Sequence, residues 1–238
     1  MLWSRYAACL FDLDGVLTPT AAIHRRAWQE TFDSLLGPLP GQPPFSEDDY
    51  FRYVDGKPLI DGVRDLLISR GIRLPEWRLD DPPSADTVAG LGNRKNLAFN
   101  RVLVRDGIAP YPGVARLLCH LGGLGVGLAV VSSSRNAKTV LRAAGLLERF
   151  PVIVDGNAVA SGHLAGKPAP DTFLRAAALL GQPAARCAVL EDAISGVAAG
   201  VAGGFGLVVG VDRGAGQEAL TAAGAGLVVD DLTKLVKS

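Results

Sequence analysis

Four short apolar runs set the pattern of the chain: "YAACLFDL" at 6–13, "VGLAVVSSS" at 126–134, "CAVLED" at 187–192 and "FGLVVGVD" at 205–212. Each contains four to seven residues of near-continuous hydrophobicity, the signature of a strand covered on both faces. Between the later runs lie stretches with helical spacing: "RNAKTVLRAAGLLERF", "PDTFLRAAALLG" and "AISGVAAGVA". Strands alternating with helices predict an α/β fold, a doubly wound parallel sheet of Rossmann-like type.

The middle of the chain departs from this pattern. From about residue 20 to 106 the apolar positions follow helical periods, as in "AAIHRRAWQETFDSLL", "LIDGVRDLLISRG" and "DTVAGLGNRKNLAFNRVLV". Connectors rich in Pro and Gly separate them, and no apolar run there reads as a buried strand. "APYPGV" at 109–114 returns the chain to the α/β pattern. The expected organisation is a core domain from 1–19 and 107–238 with a helical cap domain, 20–106, inserted after the first strand.

Polar residues punctuate the strands at their carboxyl ends. The first run ends in Asp12-Leu13-Asp14, the second in Ser132-Ser133-Ser134, the third in Glu191-Asp192. In doubly wound sheets, ligands bind beyond these ends, so three strand ends converge on one candidate site. Asp12 and Asp14, two residues apart at a strand end, point roughly the same way. Two carboxylates that close call for a cation between them or a proton on one.

Composition narrows the partners. With 24 acidic and 24 basic residues the formal net charge is zero, so no nucleic-acid footprint and no membrane-binding basic face are expected. The N-terminal apolar run is short and ends at Asp12, unlike a signal peptide, and no segment approaches the length of a membrane span. Cys9, Cys119 and Cys187 lack metal-type spacing and read as reduced, buried thiols of a cytoplasmic protein. A small anionic substrate and a monomeric chain complete the expectation.

The strand-end residues suit phosphoryl transfer. Asp12 can attack phosphorus as a carboxylate nucleophile. Mg²⁺, a hard cation, would be held by Asp12 and Asp192 with the backbone carbonyl of Asp14, leaving the Asp14 side chain as general acid and base. Ser132 can donate to phosphoryl oxygens, and Lys167 in "GKPAPD" can supply a point charge. Each residue also has a plainer role open to it. Glu191-Asp192 could cap the next helix, Ser132–Ser134 could be a polar turn, and Lys167 could be a solvated loop residue.

In order and spacing, "FDLDGVLT", "VVSSS", "GKPAPD" and "VLEDAISGV" resemble the four motifs of the haloacid dehalogenase (HAD) superfamily of phosphatases and phosphomutases, in its helical-cap group. The resemblance implies Asp12 as nucleophile, Asp14 as acid/base, Ser132, Ser133 and Lys167 as phosphate ligands, and a magnesium site at Asp12, Asp14, Glu191 and Asp192. "HRRAW", "NRKN" and "SSSRN" are similar to the β-phosphoglucomutase group, which converts β-glucose 1-phosphate to glucose 6-phosphate through a bisphosphate. That likeness implies Thr20, His24 and Trp28 near the acid/base, Lys95 and Asn96 reaching substrate from the cap, and Arg135 and Asn136 on the phosphate that is not reacting. Leu59 stands where the sugar mutases usually offer an arginine, and Lys57 could take its place. The favoured activity is therefore a β-phosphoglucomutase-like mutase, with a sugar-phosphate phosphatase as the alternative and a non-catalytic sugar-phosphate binder as a third reading. A dehalogenase fits poorly, because the second Asp and the acidic fourth motif suit phosphate and magnesium.

Overall fold

The computed structural model describes residues 2–54, 59–75, 81–158 and 164–236. The chain divides into two compact units, Met1–Thr20 with Ile108–Ser238 and Ala21–Gly107.

In the first unit, six parallel strands form one sheet in the order β3-β2-β1-β4-β5-β6. They are β1 (Ala8–Phe11), β2 (Gly127–Val131), β3 (Val152–Val154), β4 (Cys187–Glu191), β5 (Leu207–Val211) and β6 (Leu227–Val229). The central β1 pairs Ala8 with Gly127 on one side and with Cys187 on the other. All four of its residues are buried, because both faces of the sheet are covered. Ala8 and Leu10 belong to a core with Phe173, Ala176 and Ala177 of α7 (Asp171–Leu179) and Val197 and Ala199 of α8 (Ile194–Ala202). On the alternate positions, Phe11 meets the ring of Phe150 edge-on at 5.9 Å. The strand order turns back between β1 and β4, which is where such a sheet opens a crevice at its carboxyl edge.

The α/β reading is borne out, with additions. β3 and β6 are three-residue edge strands, half-exposed at two of their three positions, and runs that short do not stand out from loop sequence. The stretch at 135–150 is not one helix. α6 (Ala137–Ala143) ends before Gly145, which takes φ +67°, and only a 3₁₀ turn at Leu147–Arg149 follows. The unit also holds α5 (Val114–Gly123) and α9 (Gln217–Ala222). Cys9 and Cys187 are buried in β1 and β4 as expected, whereas Cys119 is exposed, because it lies on the outer face of α5.

The second unit contains α1 (Ala21–Leu36), a short α2 (Glu47–Asp49) running into a π-helical turn at Tyr50–Val54, α3 (Leu59–Ser69) and α4 (Val88–Asp106). Trp28, Phe32 and Leu36 of α1 pack with Phe45, Tyr50, Val63, Leu66 and Leu91. Gly92 lets α4 approach α3, since a Cβ there would stand 3.1 Å from Ile60 and 3.4 Å from Leu59. Thr87 caps α4 by accepting from Gly90 N at 2.9 Å. Ser46 and Asp49 form a capping box, and Asp49 also takes a 2.5 Å contact from Arg70. No strand lies among the described residues of this unit, and no described helix of the chain is long and apolar enough to cross a membrane.

Candidate active site

Asp12 is the first residue after β1, and its N–H still donates to Leu190 O at 2.9 Å. The ladder thus carries its side chain to the crevice while burying it. The chain then folds into a tight turn in which Gly15 N donates to Thr18 O at 2.9 Å and Thr18 N to Leu13 O at 3.0 Å. Gly15 takes φ +88°, and a Cβ there would fall 1.9 Å from Asp192 Oδ2. Only glycine fits, by conformation and by space. The turn directs Asp14 to Thr20, whose hydroxyl donates to Asp14 Oδ1.

Lys167 occupies the centre. Its Nζ donates to Asp12 Oδ1 at 2.5 Å, Glu191 Oε1 at 2.6 Å and Val131 O at 3.1 Å, and it lies 4.9 Å from the centre of the Phe173 ring. Those three acceptors match the three protons of an ammonium. The side chain is only 7% exposed, so the solvated-loop alternative is excluded. Glu191 does two jobs. Oε1 takes Lys167, while Oε2 accepts from Ala193 N at 2.8 Å at the start of α8. Gly196 makes room, since a Cβ there would stand 1.8 Å from Glu191 Oε1.

Ser132, buried at the end of β2, accepts from Ser134 N at 3.1 Å through Oγ, which leaves its hydroxyl proton to donate. Ser134 Oγ in turn accepts from Asn136 N. The serines are therefore a polar turn and part of the crevice rim at once. Ser133 and Arg135 are exposed, and Asn136 is half-buried. Asp155, at the end of β3, braces this rim. It accepts from Asn157 N at 3.0 Å and Ala158 N at 3.1 Å, while Asn157 Nδ2 donates to Arg135 O at 3.1 Å.

The electrostatics follow from four acids around one lysine. Burial pushes Asp12 well above the usual carboxylate range; Lys167 pulls against this, and Glu191, Asp14 and Asp192 add to the rise. Burial, then Glu191, push Asp192 up to about 7. For Lys167, burial works against the charge but Asp12 and Glu191 outweigh it, so the ammonium is held above its ordinary range. Asp12, Glu191 and Asp192 bring one oxygen each within 4.8 Å of one another, a grouping able to hold a metal ion. Hard oxygen donors suit a hard divalent cation, and such a cation would relieve the repulsion that adds to the rise at Asp12 and Asp192. The Asp14 carboxylate is not in that group.

In the helical unit, Lys95 is buried. Its Nζ lies 2.7 Å from His24 Nδ1, 5.1 Å from the centre of the Trp28 ring and 5.3 Å from that of Phe99. His24 leans on Phe99 with ring centres 4.4 Å apart. Burial, then Lys95, hold His24 well below the usual imidazole range, so the neutral ring accepts from the ammonium. Three of the expected cap residues thus form one cluster. Asn96 is half-buried next to Lys95 on α4. Asn93 and Arg94 of the same stretch are spent on the 81–86 segment, donating to Asp81 O and Pro83 O, both at 2.9 Å. Leu59 opens α3 and packs onto the apolar cluster, and Lys57 lies outside the described residues.

The sequence matches the haloacid dehalogenase-like hydrolases over residues 6–204. The chain belongs to that family. Beta-phosphoglucomutase of Mycobacterium bovis is 49% identical over 239 residues, which cover 96% of this chain and 91% of the relative. Beta-phosphoglucomutase of Bacillus subtilis is 35% identical over 231 residues, again 96% and 91%. Among solved structures, a mutant of CbbY from Rhodobacter sphaeroides in complex with xylulose-1,5-bisphosphate matches with a TM-score of 0.76 at 26% identity, covering 97% of this chain and 96% of that one. The resemblance read from the motifs therefore holds, and this family member is an enzyme, a phosphomutase or a phosphatase.

Two residues near the crevice that sequence reasoning missed are Asp155, just after β3, and Arg213, two residues after β5, whose Nε donates to Gly15 O at 2.9 Å. Both lie at the carboxyl edge of the sheet, as Asp12, Glu191 and Asp192 do, so the same rule applied to "VIVD" and "VGVDR" finds them.

Proposed function

We propose that this enzyme is a β-phosphoglucomutase-like mutase, converting β-glucose 1-phosphate to glucose 6-phosphate through an aspartyl-phosphate on Asp12. The observation that carries the reading is the Asp12–Lys167–Glu191 cluster at the turning point of the sheet, with Asp14 held by Thr20 beside it. The 49% identity to a beta-phosphoglucomutase over nearly the whole chain supports the sugar phosphate as substrate.

In this mechanism the aspartyl-phosphate, formed first from a bisphosphate primer, is attacked by the 6-hydroxyl of β-glucose 1-phosphate, whose proton passes to Asp14, and the resulting bisphosphate turns over in the site. The Asp12 carboxylate then attacks the other phosphorus, the bond to the sugar oxygen breaks, and Asp14 gives its proton to that leaving oxygen, releasing glucose 6-phosphate with the aspartyl-phosphate restored. Thr20 fixes the Asp14 rotamer. Lys167 fixes that of Asp12, and with Ser132 and Ser133 it balances charge on the phosphoryl oxygens. Magnesium fits the oxygen donors of the Asp12, Glu191 and Asp192 grouping, with the Asp14 carbonyl as a further ligand. When bound, it neutralises charge on the transferring group. Residues 20–106 act as a cap, in which His24, Trp28, Lys95 and Asn96 meet the sugar phosphate and exclude water. Arg135, Asn136 and Lys57 take the phosphate that is not reacting. The three free cysteines support a reducing compartment, the cytoplasm.

A second reading, hydrolysis of the same substrates, is favoured by one feature. Leu59 offers no donor for a second phosphate, so a bisphosphate would be held more weakly. Incubation with each anomer of glucose 1-phosphate, with and without a glucose bisphosphate primer, separates the two by NMR. Primer-dependent glucose 6-phosphate from the β anomer is the expected result. Free glucose and phosphate in its place would establish the phosphatase, and no turnover of either anomer would remove both readings.

A further inference from the structure

Arg213 follows β5 and has no part in the steps above, yet its guanidinium makes three contacts with distant parts of the chain. Nε donates to Gly15 O at 2.9 Å, one Nη donates to Asp230 O at 2.8 Å, and the guanidinium carbon lies 3.8 Å from the centre of the Tyr111 ring. Tyr111 in turn donates its backbone N–H to Leu17 O at 2.9 Å. The turn after β1 is therefore gripped at two carbonyls, at Gly15 by Arg213 and at Leu17 by the residue on which Arg213 is stacked.

This turn has no slack. Gly15 adopts φ +88° with the Asp192 carboxylate filling the space a Cβ would need, and Asp14 immediately precedes it. A shift of Gly15 must rotate Asp14 relative to Thr20 or push Asp192. Arginine suits the role, because its planar fork donates in two fixed directions while its face stacks on an aromatic ring. A lysine would supply one point charge on a flexible stem.

We propose that Arg213 is a positioning residue for Asp14: by holding the Gly15 carbonyl against the Tyr111 platform it aims the proton-transferring carboxylate at the ester oxygen. The inference rests on the reading of Asp14 as acid/base, and the test separates the two. Turnover is measured on β-glucose 1-phosphate, for which Asp14 must both take and give a proton, and the single-turnover release of p-nitrophenolate is measured on p-nitrophenyl phosphate, whose leaving group departs as an anion before any proton is needed. Misplacing a catalytic group by about an ångström can lower a rate by about 10²-fold, within the range of a general acid's contribution. Arg213→Ala should lose about 10²-fold on the sugar phosphate and no more than about threefold on the aryl ester. Arg213→Lys should show the same selectivity at about tenfold, and it carries the test if the alanine variant does not fold. Asp14→Asn calibrates the assay. If Asp14→Asn is selective and the Arg213 variants lose both substrates equally, in step with a lower melting temperature, Arg213 merely supports the fold and the proposal is overturned. If Asp14→Asn is itself unselective, the acid/base reading fails and takes the proposal with it.

Discussion

Lys167 in the α/β unit and Lys95 in the helical unit are both withdrawn from water, and the chain satisfies them by different means. Lys167 sits between two carboxylates at 2.5 and 2.6 Å. The contacts of Lys95 with His24, Trp28 and Phe99 are with a neutral ring nitrogen and two aromatic faces. An aromatic face contributes about 0.5–2 kcal/mol to a cation, increasing as water is excluded. A buried ion pair is another matter, because removing one partner strands the other. The first arrangement locks a charge into the machinery of the sheet edge. The described contacts of the second cushion a charge with a neutral imidazole and two ring faces.

Replacing each lysine by methionine tests the contrast most severely. Lys167→Met leaves Asp12 and Glu191 facing each other, and it should lower the unfolding free energy by about 3–5 kcal/mol at neutral pH in EDTA. Turnover should fall by about 10²–10³-fold, the scale seen when a preorganised donor is removed. Lys95→Met places a soft, apolar chain between two rings and should change stability by less than about 1 kcal/mol. Its kcat/KM on the sugar phosphate should still fall by about ten- to a hundredfold, the worth of one charge-assisted hydrogen bond. Urea titrations that gave equal losses for the two variants would dissolve the contrast.

A smaller effect is expected at Leu59. Leu59→Arg brings a guanidinium to the start of α3 and should lower the primer concentration for half-maximal mutase rate by about tenfold. An unchanged requirement would mean that the second phosphate is held elsewhere, with Lys57 the first candidate.

The smallest effect concerns acid stability of the helical unit. At Asp49 burial opposes ionisation, but the Ser46 N–H and hydroxyl and the Arg70 guanidinium outweigh it, so the carboxyl lies below its ordinary value. A carboxyl lowered on folding contributes in full above its unfolded value, near 3.9, and loses that contribution as pH falls through the folded value. Asp49→Asn should therefore flatten the loss of stability below about pH 4 and leave its slope near neutrality unchanged. An acid-unfolding curve identical to the wild type would show that the capping box and Arg70 do not depend on this charge.

How far the sequence revealed this molecule depended on contrast along the chain. Apolar runs broken by acids or serines stand out, so Asp12, Ser132, Glu191 and Asp192 were legible together with the four inner strands. β3 and β6 were not, because three residues at a sheet edge carry too little hydrophobic signal. The split loyalty of Glu191, one oxygen to Lys167 and one to the α8 terminus, was open to either reading from sequence. Only the backbone path showed that both are satisfied at once. The His24–Lys95 cluster joins residues 71 apart in sequence, and helical periodicity places each on its helix without pairing them. The Arg213 contacts depend on four segments meeting, those of Gly15, Tyr111, Arg213 and Asp230, which no local pattern encodes.

The place of β1 at the centre of the sheet has a consequence for biosynthesis. Its partners are not its sequence neighbours: Ala8 waits for Gly127 on one side and Cys187 on the other. At about 5–20 residues per second, the ribosome takes roughly 6–24 s to make the stretch between Ala8 and its first partner. During that interval the helical unit is made in full, while an apolar strand that must end up innermost has nothing to pair with. The nascent chain therefore carries an unpaired apolar strand through that interval, and chaperone occupancy there should peak before β2 emerges.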